Sequence, residues 1–401
     1  MSANLPQLEP LSGLEVATGV AFGSADPSPL PAPSAASPRE ALEEQIRPAL
    51  LRPPCLVSFS GGRDSSAILA VATSLARREG LAVPIPATNV IEDARGAHEA
   101  DWQELVVSHL GLRDWLRVRH TDELDVIGSY AQRVLLRYGL LWPCNVHFHL
   151  PLFDAAAGGS VLTGIGGDEL FGAAARPRLT TLRRREAFPV PRDVLRLGLA
   201  FAPRPLTRTV LARRHRMDLP WLRPCARRAA TAAMSREQAA EPRGLRDRMG
   251  WVAALRYVRL GAAAIELLAR DAAVYLSHPL LAADTWSAVA AAAPIGFASR
   301  TDGMRRLFGD VLAPEIINRR TKAHFDGVFW TDTARQFARG SRHDDALAQW
   351  VDYDALKRHW NQPQPLAQSF TLLQAVWLSQ HSGPDTAGVQ KLERQNGPDG
   401  P

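Results

Sequence analysis

The chain has 401 residues, of which 46% are hydrophobic and 22% charged, enough for one large or two ordinary domains with a packed core. Its net charge of +6 and pI near 9.6 are carried mostly by arginine, which admits an acidic partner or a polyphosphate substrate without choosing between them. Three widely spaced cysteines, Cys55, Cys144 and Cys225, argue against a disulfide framework or a C-x-x-C metal site; with no basic-then-apolar leader and no apolar run near ~18 residues, a cytoplasmic protein off the membrane is expected.

Residues 24–38 are rich in Pro, Ala and Ser and read as a linker without a packed element, so residues 1–38 stand apart and the globular body is expected to start after them. Ser37 as N-cap, Pro38 in the first turn and apolar spacing from Arg39 to Ile46 predict a helix leading into a strand at Leu56. Val83 to Val90 reads as a second strand, His98 to Leu110 as a helix closed by Gly111, and Leu116 to His120 as a third strand. Asp125 to Leu136 reads as a helix and Ser160 to Gly164 as a fourth strand. Strands alternating with helices predict an α/β core over residues 39–175, a parallel sheet with helices on both faces and ligands beyond the carboxyl ends of the strands. From Arg176 to Arg248 the composition shifts to arginine-rich helical segments broken by prolines, and a long helix follows from Trp251 to Tyr275. Residues 176–382 are therefore expected to form a helical lobe, and the polar residues 383–401 a mobile tail.

The chemistry concentrates in two glycine-rich turns. Ser60-Gly61-Gly62-Arg63-Asp64-Ser65-Ser66 follows the first strand, and its glycines and the N–H groups of the next helix favour a phosphate. Asp64 among those donors would repel phosphate unless a cation lay between them, so the loop points to a nucleotide with Mg²⁺. It has neither the P-loop lysine nor the dinucleotide glycine pattern. The second turn, Thr163-Gly164-Ile165-Gly166-Gly167-Asp168-Glu169, repeats the logic after the fourth strand, and acids on facing turns can share one Mg²⁺. A single glycine turn with one aspartate is usually a plain turn; two of them in order after strands make the signal.

With the His278-Pro279-Leu280-Leu281 turn and the stretch from Leu312 to Val328, these motifs resemble the synthetase domain of the asparagine synthetase family, from about Leu42 to Trp330. Members have an adenine nucleotide alpha hydrolase-like (PP-loop) fold, activate a carboxylate with ATP, release pyrophosphate and pass the acyl-adenylate to an amine. The resemblance implies that Ser60, Gly61, Gly62, Asp64, Ser65 and Ser66, with Gly164 and Gly166, hold ATP, and that Asp64 and Asp168 coordinate Mg²⁺. It makes Asp64 and Lys322 the catalytic pair, the lysine neutralising pyrophosphate and the charge that develops in acyl transfer. Without the resemblance, Lys322 with Arg319 and Arg320 reads as a solvated basic run.

Departures from the family matter as much. Asparagine synthetases begin with a nucleophilic cysteine and a glutaminase domain, whereas residue 2 here is Ser2 and the ATP loop starts at Ser60, so a synthetase without its own glutaminase is expected, served by free ammonia, another amine or a separate partner subunit. Ile165 stands where asparagine synthetases carry a glutamate and β-lactam-forming members a tyrosine, which disfavours asparagine as product and leaves Glu266 or His278 as candidate bases. Glu266 has the plain reading of a surface charge, and His278 that of a turn histidine. Residues His98 to Glu104 and Leu110 to Leu112 resemble lasso-peptide macrolactam synthetases, implying a specialised small-molecule or peptide carboxylate as substrate. Arg183-Arg184-Arg185, Arg213-Arg214-His215-Arg216 and Arg227-Arg228 offer an acidic peptide a surface, with a solvated helical face as the plain reading. Trp142, Trp221 and Trp251 are expected to be packing residues. Two rival functions stand: a tRNA-modifying PP-loop enzyme, disfavoured with nucleic acid generally by the missing paired cysteines, and a degenerate nucleotide-binding partner protein, disfavoured by Asp64, Asp168 and Lys322.

Overall fold

Alternating side chains give the central strands two apolar faces. In β1 (Cys55–Ser58) and in the later strand Ser160–Leu162, Val57 and Leu162 pack into one hydrophobic cluster while Leu56 and Val161 pack into another on the opposite face. The computed structural model describes residues 9–26, 29–91, 100–174, 202–214, 216–242, 244–319, 326–342 and 345–381. Strands β1, β2 (Ile85–Ile91), β3 (Leu116–His120), β4 (Ser160–Leu162) and β5 (Tyr275–Ser277) form one sheet in the order β3-β2-β1-β4-β5. All pairings are parallel, with Leu56 between Ile85 and Val161. The order reverses at β1 and β4, which opens a crevice beyond their carboxyl ends.

Helices α1 (Gly13–Thr18), α2 (Pro38–Leu50), α3 (Arg63–Glu79), α4 (Ala100–His109), α5 (Ser129–Tyr138), α6 (Leu150–Ala155) and α7 (Gly167–Ala174) accompany the first four strands. Helix α2 starts as its sequence dictates, with the Ser37 side chain and Glu40 closing a capping box. Beyond them come α8 (Arg204–Arg214), α9 (Pro224–Ala240), α10 (Leu245–Ala253), α11 (Arg256–Asp271), α12 (Ala283–Ala292), α13 (Arg300–Phe308) and α14 (Pro314–Asn318). Helices α15 (Asp332–Gly340), α16 (Tyr353–Trp360) and α17 (Phe370–His381) follow. A third cluster, around the fully buried Trp221 with Trp330 and Trp377, belongs to this helical region, and Trp251 is buried in the first; the tryptophans are packing residues.

Four sequence expectations need correction. The segment before Pro38 is not outside the body: α1 is buried, Trp221 Nε1 donates to Ala17 O at 2.8 Å, and Leu30 packs into the main core with only 8% exposure. The helix expected from Trp251 to Tyr275 is two helices, because Ser24 forms an antiparallel bridge with Leu255 and the flanking Ala25 N and Arg256 N bond across to Ala254 O and Gly23 O. Backbone groups engaged there are not free for helical bonding. Tyr275–Ser277 is a fifth strand beside β4, three residues long and thus too short to show a period. Helix α5 begins at Ser129 rather than Asp125, whose carboxylate accepts instead from the N–H groups of Ile127 and Thr331. The expected tail 383–401 and Arg183-Arg184-Arg185 lie outside the described residues.

Phe171 ties the second glycine turn to α13: it is fully buried, with ring centroids 6.2 Å from Phe297 and 6.4 Å from Phe308. Phe171→Ala is expected to destabilise the chain by about 3–5 kcal/mol, read as a lowered urea midpoint with unchanged slope.

Candidate active site

The first turn is built to leave donors unspent. Gly61 has φ +79°, and Gly62 stands at the N-cap of α3 with no side chain to occupy the first-turn N–H groups. Ser60 Oγ lies 3.2 Å from Ser65 Oγ and accepts from Gly62 N, while the fully buried Ser66 hydroxyl has no partner. Arg319, only 7% exposed, donates to Gly61 O at 2.8 Å and lies over the Trp102 ring. It is therefore a buried brace behind the loop, not part of a solvated basic run.

The second turn closes on the first without room for a side chain. A Cβ on Gly164 would fall 2.6 Å from Ser65 N, and one on Gly167 would fall 2.3 Å from Asp64 Cγ. Gly166 has φ +96°, a backbone conformation that disfavours other residues. Asp64 and Asp168, expected from sequence to hold Mg²⁺, lie close enough to meet one side chain: the Arg300 guanidinium contacts Asp64 Oδ2 at 2.5 Å and also pairs with Asp168 Oδ1. Burial raises the Asp64 pKa even though Arg300 pulls it down, and burial with the Asp168 and Asp64 charges raises that of Glu169. Burial works against the charge on Arg300, but the two carboxylates outweigh it and raise its pKa. Arg63 donates to Thr301 Oγ1 at 3.2 Å, so α13 is tied to the loop at a second point.

This geometry fits a divalent cation. One oxygen of each acid lies within reach of a single guanidinium, and the buried Asp64 Oδ1 has no hydrogen-bond partner. Among the described residues no group of three or more candidate ligands exists, so a cation held here would have two protein carboxylates and would depend on a bound phosphate for further oxygens. Beside the loop, a cavity of about 280 Å³ opens at the ends of β1 and β2, lined by Phe59, Ser60, Asn89, Val90, Phe148 and Phe329 among others. Its aromatic walls and its place next to the anion-binding turn suit a nucleoside.

Behind Ile165 lies a group of buried imidazoles. Thr163 Oγ1 is 2.6 Å from His278 Nδ1 and accepts the Ile165 N–H, while His278 Nε2 and His149 Nδ1 are shielded and unpartnered. Ile165 itself packs against an apolar cluster. Glu266 pairs with Arg270 at the surface, 52% exposed, and has its plain reading. Lys322 lies outside the described residues. Sequence reading missed Arg300, Tyr257 and His149. Burial, then the charges of Glu169, Glu237 and Asp168, pushes the Tyr257 hydroxyl up to about 12. None of the three sits in a glycine turn, and only tertiary packing brings them to the crevice.

Burial pushes the imidazoles down, His278 to about 3 and His147 and His149 to about 4. Between pH 6.5 and about 4 the unfolded chain takes up protons that the folded chain refuses, so these groups stabilise fully above pH 6.5 and lose stability as pH falls, on the order of 1 kcal/mol per pH unit for each. The urea midpoint of the native chain is expected to fall faster than that of His278→Gln between pH 6.5 and 4; parallel curves would show that His278 titrates normally.

The family model described as asparagine synthase matches residues 38–292, more than half of the chain. No curated protein matches the chain significantly. The matched span contains both glycine turns, all five strands and both acids, and family members are ATP-dependent, amide-forming synthetases. This chain belongs to the asparagine synthase family.

Proposed function

We propose that the chain is an AMP-forming carbon–nitrogen ligase that adenylates a carboxylate, releases pyrophosphate and transfers the acyl group to an amine in the making of a specialised or peptide natural product. One observation carries the reading: an uncapped helix N-terminus, two acids joined by the Arg300 guanidinium and a nucleoside-sized cavity meet at the ends of β1, β2 and β4. In this reading the N–H groups of α3, with Ser60, Gly61, Gly62, Ser65 and Ser66, hold the phosphates, while Gly164 and Gly166 let the second turn approach. Asp64 and Asp168 hold Mg²⁺, which when bound neutralises charge on the pyrophosphate that leaves. Lys322 supplies a fixed cation to the same leaving group, a role that rests on its motif alone. Ile165 offers no proton acceptor; His278, bonded to Thr163 two residues before Ile165, is closer at hand than the surface-paired Glu266, but with its Nε2 shielded and its pKa pushed down to about 3 it is a weak base.

ATP–pyrophosphate exchange with a panel of carboxylates tests this. The native chain is expected to exchange with at least one acid, and Asp64→Ala to lower the rate by a hundredfold or more. Tight ATP binding with no exchange for any acid would favour a degenerate partner protein, and exchange that requires tRNA would favour a modifying enzyme.

A second observation favours a peptide as the activated substrate. An open cavity of about 1000 Å³ between α8 and α9 is lined by Arg204, Arg208, Arg213, Arg216 and Arg236 and, among the described residues, by no acidic or aromatic side chain. Residues four apart on a helix rise ~6 Å, close to the ~6.8 Å between same-face side chains of an extended peptide. Arg227, by contrast, is paired with Asp218. Fluorescence anisotropy with an acidic peptide is expected to show binding that weakens with salt and falls at least tenfold in Arg208→Glu; equal affinity in the variant would remove the peptide reading.

A further inference from the structure

Arg300 opens α13, whose N-cap Ser299 accepts from Asp302 N, and from there its side chain spans the crevice to both glycine turns. The two carboxylates repel each other, and Asp64 is buried enough for that repulsion to be costly. One planar guanidinium, with a separate nitrogen for each acid, relieves it. A divalent cation shared by the same oxygens would relieve it equally well, but the two cannot occupy that space together. The present arrangement is also incomplete, since Arg300 Nε and Asp64 Oδ1 are both buried without partners. The Arg300 side chain is 28% exposed and that of Asp168 53%, so the guanidinium can withdraw toward the crevice mouth without opening the core.

We propose that Arg300 is the resident counter-cation of the Asp64–Asp168 pair and makes metal binding conditional on nucleotide: it keeps a free divalent cation out and yields when phosphates are present to receive its guanidinium. The inference rests on the metal role given to the two acids above. Two protein carboxylates alone hold Mg²⁺ or Mn²⁺ weakly, whereas a nucleotide brings phosphate oxygens for the metal and a bidentate acceptor for Arg300 at once. Metal and nucleotide then favour each other's binding by the same factor. Arg300 is a positioning residue here, acting through the occupancy of the acids.

Titration of the full chain with Mn²⁺ alone, followed by the loss of the free-ion electron paramagnetic resonance signal, tests it without turnover. Arg300→Met is expected to bind Mn²⁺ at least tenfold more tightly than the native chain in the absence of nucleotide. Arg300→Lys, which keeps the charge but cannot fork between two acids, is expected to fall between them and serves if the methionine variant does not fold. Affinity for Mn²⁺ alone that is unchanged or weaker in both variants would overturn the proposal. A parallel titration with Mn²⁺ and a non-hydrolysable ATP analogue separates the two failures. If the native complex forms and Asp168→Asn weakens it, only the Arg300 inference has failed; if Asp168→Asn has no effect, the metal assignment fails and the inference with it.

Discussion

Two carboxylates brought together by facing glycine turns need a cation between them, and much of the site's architecture meets that need. Asp64 projects from the first turn of α3 and Asp168 from the first turn of α7, so each acid sits at a helix N-terminus that also attracts anions. Bringing those termini together requires Gly164 and Gly167, because a Cβ on either would strike Ser65 or Asp64. With the turns in contact, the charge has to be balanced, and α13 delivers Arg300 to do so.

The scaffold holds this arrangement from behind. Phe171 follows the acidic turn and packs with Phe308 of α13, so the helices bearing Asp168 and Arg300 share one apolar anchor. Arg319 braces Gly61 from the residue that follows α14, and Arg63 reaches Thr301. The helical region therefore does more than cover the sheet: it supplies Arg300 and Arg319 to the first glycine turn. Residues 23–25, bridged to the junction of α10 and α11, join the N-terminal segment to the same body.

The surroundings of Ile165 differ from those of Asp64 in kind. Ile165 packs against an apolar cluster, and the Thr163 hydroxyl that accepts its N–H also meets His278, an imidazole kept neutral by burial. The arginine-lined cavity between α8 and α9 lies elsewhere in the helical region.

Sequence alone determined the parts governed by local rules. The Ser37 cap, β3 in full, and both glycine turns were legible because capping, strand alternation and φ > 0 are properties of a few adjacent residues. The pairing of Asp64 with Asp168 was legible too, because both follow strands of one parallel sheet. Tertiary structure alone decided what no window of residues encodes. It made Tyr275–Ser277 a strand, split the long helix at Ala254 and Leu255, drew α1 and Leu30 into the core and turned Arg319 inward. It also placed Arg300, 236 residues from Asp64, between the two acids. Long-range packing chooses among arginines that look alike in sequence, since only the folded chain specifies which one meets an unbalanced charge.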